Sequence, residues 1–237
     1  MSHAETAALW LSLQVALITL AVATPLAIVL AAWMARSNWP GKVLLDAVIL
    51  LPMALPPAVI GFALISSLGQ RGALGAWLHE LTGFHLTLFP GGAVLAASLM
   101  TLPLMVRVLR PAFESRDPLL VPLARTLGAS PWRSFLTVTL PLMWPAVASA
   151  MALGLAVAWG ESGATLVLAA SLQPAQSSDI TAPVALVQSM LNHQSEDTAL
   201  RLALVSLGVA LVAMVISEWS RQRWLRHAPL SLHTGAA

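Results

Sequence analysis

Five long apolar runs dominate this chain: Leu9 to Trp33, Val43 to Leu68, Gly91 to Leu109, Pro145 to Leu168 and Ala199 to Ser217. None alternates polar and apolar positions as a half-buried strand does, and an α-helix needs about 20 apolar residues to cross a hydrocarbon core. The pattern predicts an all-α integral membrane protein with five transmembrane helices, six at most. The second run contains Pro52, Pro56 and Pro57. Each proline removes a backbone donor, so a kink or break is expected there, tolerated where neighbouring helices satisfy the freed carbonyls. Two shorter stretches are also helical in spacing. Leu74, Trp77, Leu78 and Leu81 form a stripe within Gly72 to Leu81, which predicts a short helix lying on the surface. Ala182 to Leu191 is too short to span and reads as a re-entrant, lid or loop helix.

Composition sharpens this picture. With 58% hydrophobic and 9% charged residues, the chain cannot cover a water-facing surface, whereas lipid accepts an apolar exterior once helices close their own hydrogen bonds. Basic residues flanking spans favour the cytoplasmic side. Arg36 and Lys42 follow the first run, Arg107, Arg110, Arg116, Arg125 and Arg133 the third, and Arg221, Arg223 and Arg226 the fifth. Arg71 and Arg201 fall on the other side with Glu80, Asp179, Glu196 and Asp197. The amino terminus is therefore expected outside and the carboxyl terminus inside. Trp10, Trp33, Trp39, Trp144 and Trp219 sit near run ends, where interfacial anchors belong. Met1 to Glu5 carries no Lys or Arg, so the first run reads as a retained span rather than a cleaved signal. The chain has no Cys, which excludes disulfides, thiolate metal sites and cysteine nucleophiles; no metal site and no catalytic residue is expected.

Between the third and fourth runs lies a basic, proline-punctuated loop. Asp117-Pro118 and Ser130-Pro131 each pair an N-cap residue with proline at the first helical position, predicting two short helices around Gly128. Pro122 would be the fifth residue of a helix begun at Pro118, at a cost of about 3 kcal/mol if that helix were regular, so a later start or a bend is expected. An ATP-hydrolysing pump would need the phosphate-cradling G-x-x-x-x-G-K-[ST] signature, which is absent; the only lysine is Lys42. Glu161 is a carboxylate deep in an apolar run, and an intramembrane ionisable group is costly enough to suggest function. Gly160 and Gly163 beside it would permit close helix approach. Span centres lack Lys and Arg, so only hydroxyls such as Ser98, Thr101, Ser162 and Thr165 and backbone amides are left as weak donors along a path. An intramembrane hydrolase would need a paired nucleophile and base at membrane depth, and every histidine lies outside the runs. A secondary transporter would need ion-coupling groups and inverted repeats, and neither is evident.

The string Leu123-Ala124-Arg125-Thr126-Leu127-Gly128, followed by Val138-Thr139-Leu140-Pro141, resembles the cytoplasmic loop by which permease subunits of bacterial ABC importers grip their ATPase partners. Val121 stands where that family has a glutamate. Leu55-Pro56-Pro57-Ala58-Val59-Ile60-Gly61, Gly69-Gln70-Arg71-Gly72, Pro103-Leu104-Met105-Val106-Arg107 and Gly160-Glu161-Ser162-Gly163-Ala164-Thr165 are similar to the molybdate branch of these permeases, with the sulfate and thiosulfate permeases nearest to it. The resemblance implies a type-1 ABC importer permease domain over residues 8–218, a coupling loop over 110–141 and a cytoplasmic tail over 219–237. Implied for ATPase coupling are Ala124, Arg125, Gly128, Ala129, Leu140 and Pro141; implied for the translocation path or gate are Pro56, Pro57, Gly160, Glu161, Gly163 and Thr165. It further implies a multi-pass protein of the bacterial inner membrane that is not itself an enzyme and binds no cofactor. ATP and Mg would sit on a separate ATP-binding subunit in two copies, beside a second permease copy and a periplasmic molybdate-binding protein. Sulfate, thiosulfate and tungstate remain alternative cargoes.

Overall fold

A computed structural model describes residues 2–37, 39–69, 72–83, 90–117, 119–170, 180–191 and 196–227. The first helices are α1 (His3–Arg36), α2 (Lys42–Ala54), α3 (Pro57–Leu68), α4 (Ala73–Thr82) and α5 (Gly91–Glu114). They are followed by α6 (Leu120–Thr126), α7 (Pro131–Ser134), a π-helical turn (Phe135–Thr139), α8 (Leu140–Gly160), α9 (Gly163–Ala170), α10 (Ala182–Leu191) and α11 (Glu196–His227). The described residues contain no strand.

The core is built from small residues and its exterior from large ones, as expected for packing without a hydrophobic drive between helices. On α1, Ala16, Ala23, Ala27 and Ala31 are buried while Trp10, Leu17, Leu26 and Val29 are exposed. The small face lets α5 and α8 approach. Where the three helices cross, a Cβ added to Gly154 would lie 3.0 Å from Leu20, Met105 and Thr101. A second packed unit joins α3, α5 and α9 through Ile60, Leu64, Ala96, Ala164 and Leu168. There, a Cβ on Gly61 would lie 2.7 Å from the carbonyl oxygen of Ala164.

Polar clamps fix the remaining helices. Ser2 caps α1 in a reciprocal box with Glu5, the two hydrogen bonds measuring 3.0 and 3.2 Å. The buried Glu5 carboxylate also meets Arg201 of α11 at 3.0 Å, and Ser149 of α8 meets Ser217 of α11 at 3.0 Å in the interior. The Ala182 N–H donates to the buried Ser12 Oγ at 2.7 Å, which ties α10 to α1. At the arginine-rich end, Arg110 of α5 reaches Asp46 of α2 at 2.6 Å.

Several expectations meet the structure directly. Among the described residues four helical segments are long and apolar enough to cross a membrane, and the α2–α3 pair, bent by 106°, meets the same length and composition when its two halves are taken together. The bend falls at Leu55 and Pro56, among the prolines that predicted it. Helices α4 and α10 occupy the two shorter stretches. Three boundaries differ. The fourth run does not begin at Pro145: helix runs unbroken from Pro131 through the π turn into α8. The extra residue of that turn sits just ahead of Pro141 and Pro145, where the ladder must do without two donors. The helix of that run is interrupted at Glu161 and Ser162, so Glu161 lies within the Pro131–Ala170 crossing at a break in its helix. The first loop helix starts at Leu120, so Pro122 is its third residue, where its missing N–H would have had no intrahelical partner. Pro118, Gln70, Arg71, residues 171–179 and residues 228–237 lie outside the described residues.

Candidate functional site

Residues singled out for ATPase coupling divide into two places. Ala124 and Arg125 lie on α6, and their carbonyls accept the N–H groups of Ala129 at 3.1 Å and Gly128 at 3.0 Å. These bonds close the helix into a sharp turn, and Gly128 takes φ +87°, a left-handed conformation that only glycine adopts without strain. Ser130 then caps α7 by accepting the Arg133 N–H at 3.2 Å. Leu140 and Pro141 do not join this turn. They form the start of α8, Leu140 packed partly against the core and Pro141 exposed. The turn and the α8 start are connected by the π segment, whose buried Thr139 accepts a hydrogen bond from Arg116 at 3.2 Å. Burial first, and the positive charge of Arg36 second, push the Arg116 guanidinium below the ordinary arginine value.

One feature of this loop escaped the sequence reading. Leu119, Leu123 and Leu127, four residues apart, form an exposed apolar ridge, with Leu127 84% exposed. Next to it Trp132 is exposed and stacks on Phe135 with ring centroids 5.9 Å apart. The four-residue spacing was the available signal, masked by the prolines around it. Bare leucines grouped on a two-helix turn form an exposed apolar patch of the kind that marks an interaction surface.

Several of the residues singled out for a path or gate come together more closely than their separation in sequence suggests. Pro57, the first residue of α3, sits over Gly163, the first of α9: a Cβ there would lie 2.5 Å from the Pro57 Cβ. Pro56 is the N-cap of α3 and offers it no side-chain acceptor. Across the contact, Glu161 caps α9. Its carboxylate accepts the Ala164 N–H at 2.9 Å, the Thr165 N–H at 3.1 Å and the Thr165 hydroxyl. A carboxylate at a helix N-terminus is favourably placed in the field of the helix as well. Gly160 was expected to allow close approach, but a Cβ there would meet nothing within 4 Å. Among the hydroxyls, Thr101 is fully buried in the three-helix crossing, a packing residue rather than a path-lining one, and Thr165 is engaged by Glu161. Inside the α2–α3 elbow an apolar groove of about 260 Å³ is lined by Val48, Pro52, Val59, Ala63 and Leu99. The arrangement joins the starts of α3 and α9 through the Pro57–Gly163 contact, while the Gly128 turn lies at the far end of the long helix that leads into α8.

Comparison with known proteins places this geometry. Residues 23–226 match the family described as binding-protein-dependent transport system inner membrane component. The chain is 40% identical over 223 residues to the molybdenum transport system permease protein ModB of Escherichia coli strain K12, covering 92% of this chain and 96% of that one. It is 37% identical to ModB of Haemophilus influenzae, covering 92% and 94%. It is 33% identical to the sulfate transport system permease protein CysW of Synechocystis, covering 91% and 78%. In fold it is similar to a crystal structure of a bacterial ABC transporter that imports the acidic polysaccharide alginate, with TM-score 0.70 at 18% identity over 97% of this chain and 82% of that one. The family match, the identity over matched length and the long apolar helices agree, and the chain belongs to the binding-protein-dependent transport system inner membrane component family, as a multi-pass permease of the ABC importer type.

Proposed function

We propose that this chain is the membrane-spanning permease of an importer that carries molybdate across the bacterial inner membrane, powered by ATP hydrolysis on a separate subunit. The observation that carries this reading is the end-to-end 40% identity with a molybdenum permease, over 96% of that relative. Sulfate is the second reading, favoured by the 33% identity with a sulfate permease, which extends over 78% of its length.

In this reading residues 8–218 are the permease domain and residues 110–141 its coupling loop. The leucine ridge and the Gly128 turn dock into the ATP-binding subunit, which holds ATP and Mg and is present in two copies. Two permease copies enclose the path, since the four or five apolar crossings among the described residues are few for a complete path. A periplasmic molybdate-binding protein delivers the cargo. The fold neighbour in complex with a periplasmic protein bound to an alginate pentasaccharide supports a partner of that kind. Pro57, Glu161, Gly163 and Thr165 hold the two broken crossings in register at the gate, and this support comes from their contacts. Glu161 is not an oxyanion ligand here, because its carboxylate is spent on the α9 cap and would repel an anion.

Uptake of radiolabelled molybdate into cells expressing the full transporter tests the cargo. Tenfold excess unlabelled molybdate should abolish uptake and tenfold sulfate should leave most of it. Equal inhibition by sulfate would favour the second reading, and uptake without any co-purifying ATPase would overturn both.

A further inference from the structure

We propose that Asp46 and Arg110 are a positioning pair that pins α2 onto α5, so that the α2–α3 elbow bends from a fixed base. Helix α2 has no buried residue, and only Leu45 and Ile49 press partly against the core. Its far end turns through 106° into α3. Apolar contact alone therefore holds this half-helix poorly, in a surrounding lipid that is as apolar as its own side chains.

The polar contact is correspondingly well built. Arg110 Nη1 lies 2.6 and 2.8 Å from the two Asp46 oxygens, and its Nε donates to Glu114 Oε1 at 2.7 Å. Glu114, one turn further along α5, fixes the guanidinium plane so that Nη1 is aimed across to α2. Lys42, at the first position of α2, adds a longer contact to Glu114 at 3.9 Å. The Arg110 and Asp46 side chains are 26% and 31% exposed, so water screens the pair less than it would a surface ion pair. A basic residue placed only to set topology would need no second-helix carboxylate with both oxygens in contact. The pair acts on the elbow, not on the cargo, and does not depend on which anion is carried.

The chain has no Cys, so an introduced thiol is the one labelling position in each copy, with the partner subunits supplied in Cys-free form. Val43 on α2 and Val29 on α1 are both exposed, at 77% and 64%. In the assembled transporter, Arg110→Gln and Asp46→Asn should each raise the mobility of a label at residue 43 and leave a label at residue 29 unchanged. The charge-swapped double variant, Asp46→Arg with Arg110→Asp, should return the residue-43 spectrum toward wild type. Uptake should fall by about tenfold in the single variants, the scale of coupling between paired residues, and recover in the swap. An unchanged residue-43 spectrum overturns the proposal. So does equal loosening at residue 29, which marks a general folding role, and so does a swap no better than the worse single variant. The spectra decide the matter even if the cargo assignment fails.

Discussion

Gly160 and Gly163 are three residues apart, yet the space around them differs completely. A methyl at residue 163 would sit 2.5 Å from Pro57, while one at residue 160 would meet open space. Gly163→Ala should therefore destabilise the purified protein by about 1–3 kcal/mol, an overpacking cost. Gly160→Ala should stay within about 0.5 kcal/mol, as exposed substitutions do. Thermal unfolding in detergent separates the two. Gly128 is a different case, with φ +87° and no neighbour within 4 Å of an added Cβ. Gly128→Val should cost about 1–2 kcal/mol in the turn itself, through the left-handed backbone alone. The bundle should stay folded by circular dichroism while ATP hydrolysis per transported ion rises. Gly128→Asn should do less harm, since asparagine visits that region more readily.

At the scale of elements, two helix starts carry the site. Glu161 gives α9 three acceptor contacts from one carboxylate. Glu161→Gln replaces one acceptor oxygen with a donor, and should weaken this start by about 0.5–2 kcal/mol, the range for losing an N-cap. Lower thermal stability, with normal helix content, is the expected reading. Helix α6 shows the opposite: Pro122 lies in its first turn, so Pro122→Ala should change stability by less than about 1 kcal/mol. A larger loss would mean the helix begins upstream of Leu120. The sequence made the first break plain and the second invisible for one reason. Proline deletes donors whatever surrounds it, so Pro56 and Pro57 announce the elbow. Glu161 interrupts its run only because its carboxylate finds the amides of Ala164 and Thr165 and because Pro57 packs on Gly163. The second of those facts is a contact between residues 106 positions apart, and no local pattern contains it. The leucine ridge lay in plain view, but its spacing only gains meaning once Leu119, Leu123 and Leu127 prove to be bare.

Over the whole molecule, the hydrophobic pattern located the long apolar helices because lipid imposes length and composition on each crossing. It said little about which helices touch. That is set by small residues such as Ala27 and Gly154 and by isolated polar pairs. Helix α11 illustrates this: its lipid-facing side shows Leu204, Leu207, Leu211 and Val215, and it is joined to α8 in the interior by Ser149 and Ser217. Ser217→Val should cost about 0.6–1.7 kcal/mol, the measured scale of interhelical hydrogen bonds in membranes. Combined with Ser149→Ala, the loss should be smaller than the sum of the two single changes, which a double-mutant cycle in thermal unfolding would reveal.

Helix α4 is pressed onto the end of α3 at Gly75, where any side chain would strike the carbonyl oxygens of Leu68 and Gly69. With so little clearance, the two helices are sterically coupled at that point. A small rotation of α3 around the Pro57–Gly163 contact would sweep the exposed Leu74, Trp77 and Leu81 across the outer surface. A probe attached to any of those three side chains would therefore report the position of α3.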